Sequence, residues 1–214
     1  MRERGLSPFL QVATEGTDPS VAESHVRMRG LTPHSHIEPE APDRDPDRAP
    51  AQLPEPGERA PGFELVDEEL ADANLANVDA RGASLRRVVL RRCRLTGLLL
   101  TEGRLRDVVI AESRVDLASF AACTLEQVVF EDCRIDGSSF QEARLRHVRF
   151  SDCTLTEADL TGARFEHSEL RGCTLDGVRG AASLRGAAMP WSDVVNSAGT
   201  LADALGIRIL EVDA

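Results

Sequence analysis

Residues 143–165 read ARLRH VRFSD CTLTE ADLTG ARF, and this stretch repeats a pattern of five residues. A large apolar residue stands at every fifth position, as at Leu145 and Phe150, and the pattern extends over residues 65–175 with Ala80 as its smallest member. A period of five fits neither an α-helix nor an ordinary strand, so each quintet is interpreted as one short side of a coiled path. The sequence therefore predicts a solenoid, in which each unit buries its apolar face by stacking on its neighbours.

A second column of residues lies two positions before each large residue, from Ala73 to Cys173. Its members are small or aliphatic and never charged, and they include all five cysteines of the chain. Without CxxC spacing these cysteines make a poor zinc site and a poor disulfide framework, so we interpret them as small buried hydrophobes. The two columns predict a core that includes Leu85, Leu105, Phe120, Phe130, Phe140, Leu145, Phe150, Cys133, Cys153 and Cys173.

Quintets such as ANLAN (73–77), CTLTE (153–157) and ADLTG (158–162) resemble the pentapeptide-repeat family, whose consensus is Ala-(Asp/Asn)-Leu-X-X. The resemblance implies an all-β solenoid, namely a right-handed quadrilateral parallel β-helix with four quintets in each coil. Twenty residues per coil would place four cysteines on one wall, with Ser113 filling the gap between Cys93 and Cys133. The chain departs from the consensus where arginine replaces Asp or Asn, at Arg94, Arg104, Arg114, Arg134, Arg144 and Arg164.

Three regions are predicted along the chain: a disordered segment (1–60), the β-helix (61–189) and a helical C-terminal cap (190–214). Ten of the eleven prolines lie at or before Pro61, where they alternate with charged residues. Such a segment buries too little apolar surface to offset the entropy lost on ordering. Met28 is an alternative to Met1 as the start of translation.

The C-terminal region loses the five-residue register, because Gly180 occupies a large-residue position and Leu184 arrives one residue early. Residues 193–198 have helical spacing, residues 200–203 resemble a capping box that opens a second helix, and residues 207–210 are compatible with a final strand. These helices are predicted to cap the open end of the solenoid, where exposed strand edges invite aggregation. The family also uses C-terminal helices for dimerisation, so a capped monomer and a dimer through these helices both remain open.

Arginine is concentrated in residues 81–106, which carry eight arginines against Glu102 alone, although the whole chain has a net charge of −11. Stacking at twenty residues would align Arg94, Arg114 and Arg134 in an outward column that attracts phosphate. However, Asp116 and Asp136 follow two residues along, and no aromatic residues are interleaved for base stacking. Direct nucleic-acid binding is therefore not expected.

An apolar column is predicted at outward positions, where Val89, Val109 and Val129 lie twenty residues apart, with Leu99 on an adjacent side. Such a column either favours strand formation or belongs to a patch that binds a partner. His147 and His167 would also stack outward, but two imidazoles make a weak metal site, so we interpret them as solvated.

The predicted function is non-enzymatic, without a cofactor, because a convex rod offers no pocket and the chain lacks a phosphate-binding glycine loop or an HExxH motif. No apolar run approaches the length of a membrane span, which predicts a cytoplasmic protein without a membrane partner. We expect a rigid protein-interaction module whose protein partner the sequence does not name. The resemblance offers an alternative, a DNA-mimicking modulator of DNA gyrase. The Arg-rich first coils and a rod of roughly 29 Å make gyrase the less favoured partner.

Overall fold

The computed structural model describes residues 37–43 and 51–210, and its repeat region is a parallel β-solenoid, as predicted. Neighbouring coils pair in parallel at an offset of twenty residues, as in Leu65 with Leu85 and Leu125 with Leu145. Five long strands form most of the sheet: β1 (Glu64–Ala71), β2 (Ser84–Arg91), β3 (Arg104–Ala111), β4 (Thr124–Glu131) and β5 (Arg144–Ser151). The shorter elements that follow are β6 (Arg164–Glu166), β7 (Glu169–Arg171), a 3-10 helix (Ala181–Leu184), α1 (Trp191–Asn196) and α2 (Ala198–Ala204).

The coil turns at regular corners, because every fifth residue from Gly57 to Gly177 has a positive φ angle. Most of these corner residues are not glycine, and the left-handed conformation costs such residues roughly 1–2 kcal/mol each. Hydrogen bonds to the next coil fix them there, as when the Asn77 N–H donates to the Thr96 carbonyl at 2.8 Å. Strands β1 to β5 each bend at such a residue, so one strand covers two sides of the coil.

The large and small columns both point to the axis and form one continuous core. All ten core residues predicted from the sequence are buried, with relative exposures of 0–8%. Phenylalanines one coil apart stack, with ring centroids separated by 4.9 Å for Phe120 and Phe140 and by 4.8 Å for Phe130 and Phe150. Edge-to-face contacts connect the two stacks, which adds specific packing to the burial of apolar area.

The small column accepts cysteine and serine because each side chain completes hydrogen bonds of the backbone. The Ser138 hydroxyl donates to the Val115 carbonyl at 2.6 Å and accepts the Ala118 N–H at 3.1 Å. The Cys123 thiol donates to the Leu100 carbonyl at 2.9 Å, and burial raises the pKa of Cys123 to about 12. All five cysteines are free and buried.

The solenoid begins before the predicted boundary at residue 61. The Gly57 N–H donates to the Ala76 carbonyl at 2.9 Å, and Arg59 pairs with Asp79. Prolines are compatible with this first coil because Pro56 and Pro61 follow the large-residue position. On these sides of the other coils, the N–H at this following position donates no backbone–backbone hydrogen bond. The predicted disorder of residues 1–36 and 44–50, and the question of Met28, lie outside the described residues.

At the C-terminal end, the predicted slip of the register is confirmed, because Glu169 pairs with Ala188 at an offset of nineteen residues and Leu184 is buried. The predicted capping box is wrong: α2 begins at Ala198, and the Thr200 hydroxyl donates instead to the Leu175 carbonyl at 3.2 Å. Residues 207–210 form no strand and are exposed.

The two C-terminal helices contact the last coil of the solenoid. Leu201 and Ala204 pack against the core, and Asp193 accepts the Gly172 N–H at 2.6 Å. None of the helices in residues 37–43 and 51–210 has the length and apolarity needed to cross a membrane.

Candidate interaction surface

The arginine column (Arg94, Arg114 and Arg134) lies on one side of the solenoid, paired coil to coil as predicted. All three side chains are exposed. Arg134 also lies beside two carboxylates, with its Nε 3.0 Å from Asp116 Oδ1 and 2.9 Å from Asp136 Oδ2. The column is therefore cationic at Arg94 and Arg114 and partly neutralised at Arg134.

Other arginines of the Arg-rich stretch pair with aspartates, and two of these aspartates lie in the preceding coil. Arg92 Nε lies 3.0 Å from Asp72 Oδ1, and Arg87 Nη2 donates to Asp67 Oδ2 at 2.6 Å. The hydrogen bond from Arg87, together with a backbone N–H bond from Asp43, lowers the pKa of Asp67 to about 2. This positive stretch is thus balanced by residues that lie outside residues 81–106.

The valine column (Val89, Val109 and Val129) is continuous through the strand pairing, and Arg149 follows Val129 in the next coil. It lies five residues before the arginine column, and therefore on the adjacent side. The prediction that Leu99 lies on an adjacent side is wrong. Leu99 stands ten residues after Val89, two corners along the four-sided coil, on the opposite side.

The valine column is less exposed than its outward position predicts. Val129 is 4% exposed, and Val89 and Val109 are half-buried. Leu99 provides an internal comparison, because it holds the same quintet position on the opposite side and is 36% exposed. Other members of the Leu99 column are also half-buried or buried, as at Ser119 and Asp159, so the low exposure of the valines does not by itself indicate a covering segment.

Residues 37–43, which we call the strap, run along this side of the solenoid. The Asp43 N–H donates to Asp67 Oδ1 and the Glu40 N–H donates to Asp107 Oδ1, both at 3.1 Å. Further along, the guanidinium of Arg149 binds Glu38 through two hydrogen bonds, of 2.9 and 3.1 Å. From its N-terminal end, the strap therefore contacts β5, then β3 and then β1. Its contacts lie in or next to the valine column.

Nothing in the sequence marks the residues that hold the strap as a site, apart from their spacing along the solenoid. Asp67 and Asp107 share one corner column, two coils apart, and Arg149 continues the valine column.

The histidine pair differs from its prediction in burial. The rings of His147 and His167 stack with centroids 5.1 Å apart, but His147 is buried, and burial lowers its pKa. Its Nδ1 has no hydrogen-bond partner among the described residues. Within the same residues, no cluster of three or more His, Cys, Asp or Glu side chains could hold a metal ion.

A parallel solenoid built from stacked quintets, with patterned columns on its sides, defines a class of repeat proteins. Two family models match the chain, "Pentapeptide repeats (8 copies)" over residues 69–107 and "Pentapeptide repeat region" over residues 114–179. The chain belongs to the pentapeptide-repeat family. No curated protein matches its sequence.

Several solved pentapeptide-repeat structures are similar to this one in fold. Full-length QnrB1, a plasmid-mediated fluoroquinolone resistance protein, is 15% identical, with 70% of this chain and 97% of that chain covered at a TM-score of 0.36. HetL, involved in heterocyst differentiation regulation in the cyanobacterium Nostoc, is 20% identical, with coverages of 62% and 77% and a TM-score of 0.25. A protein of the Arabidopsis thaliana thylakoid lumen is 15% identical, with coverages of 51% and 70% and a TM-score of 0.20.

Proposed function

We propose that this chain is a non-enzymatic, cytoplasmic protein-interaction module that presents its arginine and valine columns to a protein partner. The observation that carries the proposal is the placement of these two columns on adjacent sides of one rigidly paired stack. Arginine is enriched at protein–protein interfaces, and neither column belongs to the core cluster of the solenoid.

The arginine column provides the first test. Arg114→Glu in the full-length, affinity-tagged protein should reduce capture of the partner from the native cell by about tenfold or more, because it places a carboxylate in the centre of the column. Arg144→Glu is the matched control, an exposed arginine at the same quintet position two sides away. Equal loss of capture in both variants, with unchanged circular dichroism, would contradict the proposal.

DNA mimicry at gyrase is the alternative function, and one observation favours it. Glu112, Asp132 and Asp152 are exposed at successive corners of one edge. Three acids at about 4.8 Å spacing extend over only about 10 Å, whereas a duplex carries one charge per about 1.7 Å. In the same corner column Arg92 separates Glu112 from Asp72, so the negative edge is short.

The corresponding expectation is that the purified protein leaves gyrase supercoiling unprotected against a fluoroquinolone. Protection at stoichiometric protein would establish the alternative and displace our proposal.

The C-terminal helices offer a separate surface, for which we propose pairing with a second copy of the chain. One face packs on the core through Leu201 and Ala204, whereas Trp191 in α1 and the residues Leu205 and Ile209, which follow α2, are exposed. Leu205→Glu together with Ile209→Glu should convert a concentration-dependent dimer into a monomer without lowering the melting temperature, as measured by analytical ultracentrifugation and calorimetry. If the wild-type protein is monomeric at all concentrations, the pairing proposal is wrong and capping is the only role of these helices.

A further inference from the structure

The strap and the solenoid have matching repeats. The donors Glu40 and Asp43 are three positions apart in the strap, and their acceptors Asp107 and Asp67 are two coils apart. Two coils rise about 9.6 Å at about 4.8 Å per strand. Three residues of a polyproline II helix, which make one turn, rise about 9.3 Å. One turn of a polyproline II segment therefore meets an equivalent position in every second coil.

The sequence of the strap suits this conformation. Pro39 and Pro42 are three residues apart, and each fixes its own φ and restricts the residue before it to extended or polyproline II geometry. These two prolines are half-buried, whereas the other five strap residues are exposed. The prolines are therefore the strap residues that are most shielded from solvent.

The solenoid also matches the charges of the strap. Arg149 binds the Glu38 carboxylate at both of its oxygens, the geometry that makes arginine selective for carboxylates. Arg87 lies in the corner column between Asp67 and Asp107. Its hydrogen bond with Asp67 is the main cause that raises the pKa of Arg87, and the charges of Glu40 and Asp43 in the strap raise it further. Carboxylates that accept backbone N–H groups of the strap thus alternate with cationic side chains along the side that the strap covers.

We propose that this side of the solenoid, formed by the valine column with Asp67, Arg87, Asp107 and Arg149, is a docking site for an acidic, proline-spaced polyproline II segment of a partner protein. In the free chain the strap occupies the site and acts as an internal ligand. The inference rests on the proposed function and names the chemistry of the partner. The occupant is argued from the strap itself, which shows the backbone spacing, the proline spacing and the charge that fit.

His147 gives an incoming segment a contact that the strap does not make. It lies two coils beyond Asp107 in the same corner column, where the next donor of a polyproline II repeat would reach. Its buried Nδ1 has no partner among the described residues, and Ile37, at the corresponding strap position, is exposed. A partner segment that continues in polyproline II geometry would satisfy this nitrogen and so compete with the strap.

The test uses the full chain and a fluorescent peptide of sequence IEPEAPD, which copies residues 37–43. A release variant, Glu38→Arg with Pro42→Gly, places like charges at Arg149 and removes one proline constraint. Its Glu40–Ala41 bond should be cleaved faster by a glutamate-specific protease, because the strap leaves the surface. The same variant should bind the peptide at least about tenfold more tightly than the unchanged chain, whose tethered strap competes at high effective concentration.

Controls in the release variant define the site. Val109→Arg or Arg149→Gln should abolish peptide binding, whereas Leu99→Arg, at the same position on the opposite side, should leave it unchanged. A peptide with both prolines replaced by alanine should bind several-fold more weakly, because it loses its preorganisation.

Two results would overturn the inference: an unchanged rate of cleavage in the release variant, or faster cleavage with no peptide binding at millimolar concentration. Either result would leave the proposed interaction function standing if Arg114→Glu still abolished capture of the partner, so the two failures are distinguishable.

Discussion

Leu145→Asp is expected to abolish the folded state of the solenoid. Leu145 is 1% exposed and lies in β5, between Leu125 and Phe165 of the neighbouring coils. A carboxylate there would have no cation or donor within the apolar column, and an unpaired buried charge is among the most destabilising changes that a protein can receive. The loss should exceed about 4 kcal/mol, a large part of the 5–15 kcal/mol that stabilises a typical domain.

The measurement is urea denaturation followed by circular dichroism, with Arg144→Asp as the matched control. Arg144 is the preceding residue and is exposed, and it pairs with Thr124 and Arg164. The same carboxylate should therefore change the free energy of unfolding by less than about 1 kcal/mol at this position. Similar losses in both variants would mean that the two positions do not alternate between core and solvent.

The five-residue register made the core predictable from the sequence. Every quintet has small or apolar side chains at its inward positions and polar side chains at most of its outward positions, so twenty-three repetitions indicate one and the same register. The corner conformation was not predictable in the same way, because the positive φ positions are occupied by residues as different as Arg87, Leu117 and His147. The coil imposes this conformation through its hydrogen bonds, and local preference is overridden.

The candidate surface was only partly predictable. The columns follow from the offset of twenty residues, and so do the pairs Asp67–Arg87 and Asp72–Arg92, which a count of charges along the sequence overlooks. The position of the strap does not follow from the offset of twenty residues. Its composition predicts disorder because it buries little apolar surface, whereas its position depends on two backbone donors and one ion pair with residues up to 111 positions away.

Leu125→Ala should destabilise the whole solenoid more than Leu65→Ala does, although the two leucines occupy one column and are both almost fully buried. Each substitution removes the same atoms, and such losses are typically about 2–5 kcal/mol. In a solenoid, however, each coil is stabilised by its neighbours only. A weakened coil in the middle, at β4, uncouples β1–β3 from β5, whereas a weakened coil at β1 lets the end fray while the remainder stays paired.

Amide hydrogen exchange distinguishes these outcomes. In Leu125→Ala, exchange should accelerate throughout β1 to β5, and the unfolding transition should broaden or divide. In Leu65→Ala, exchange should accelerate in β1 and residues 51–61 and remain unchanged in β4 and β5. Equal acceleration along the whole solenoid in both variants would mean that the stack unfolds as one cooperative unit, with coupling that extends beyond nearest neighbours.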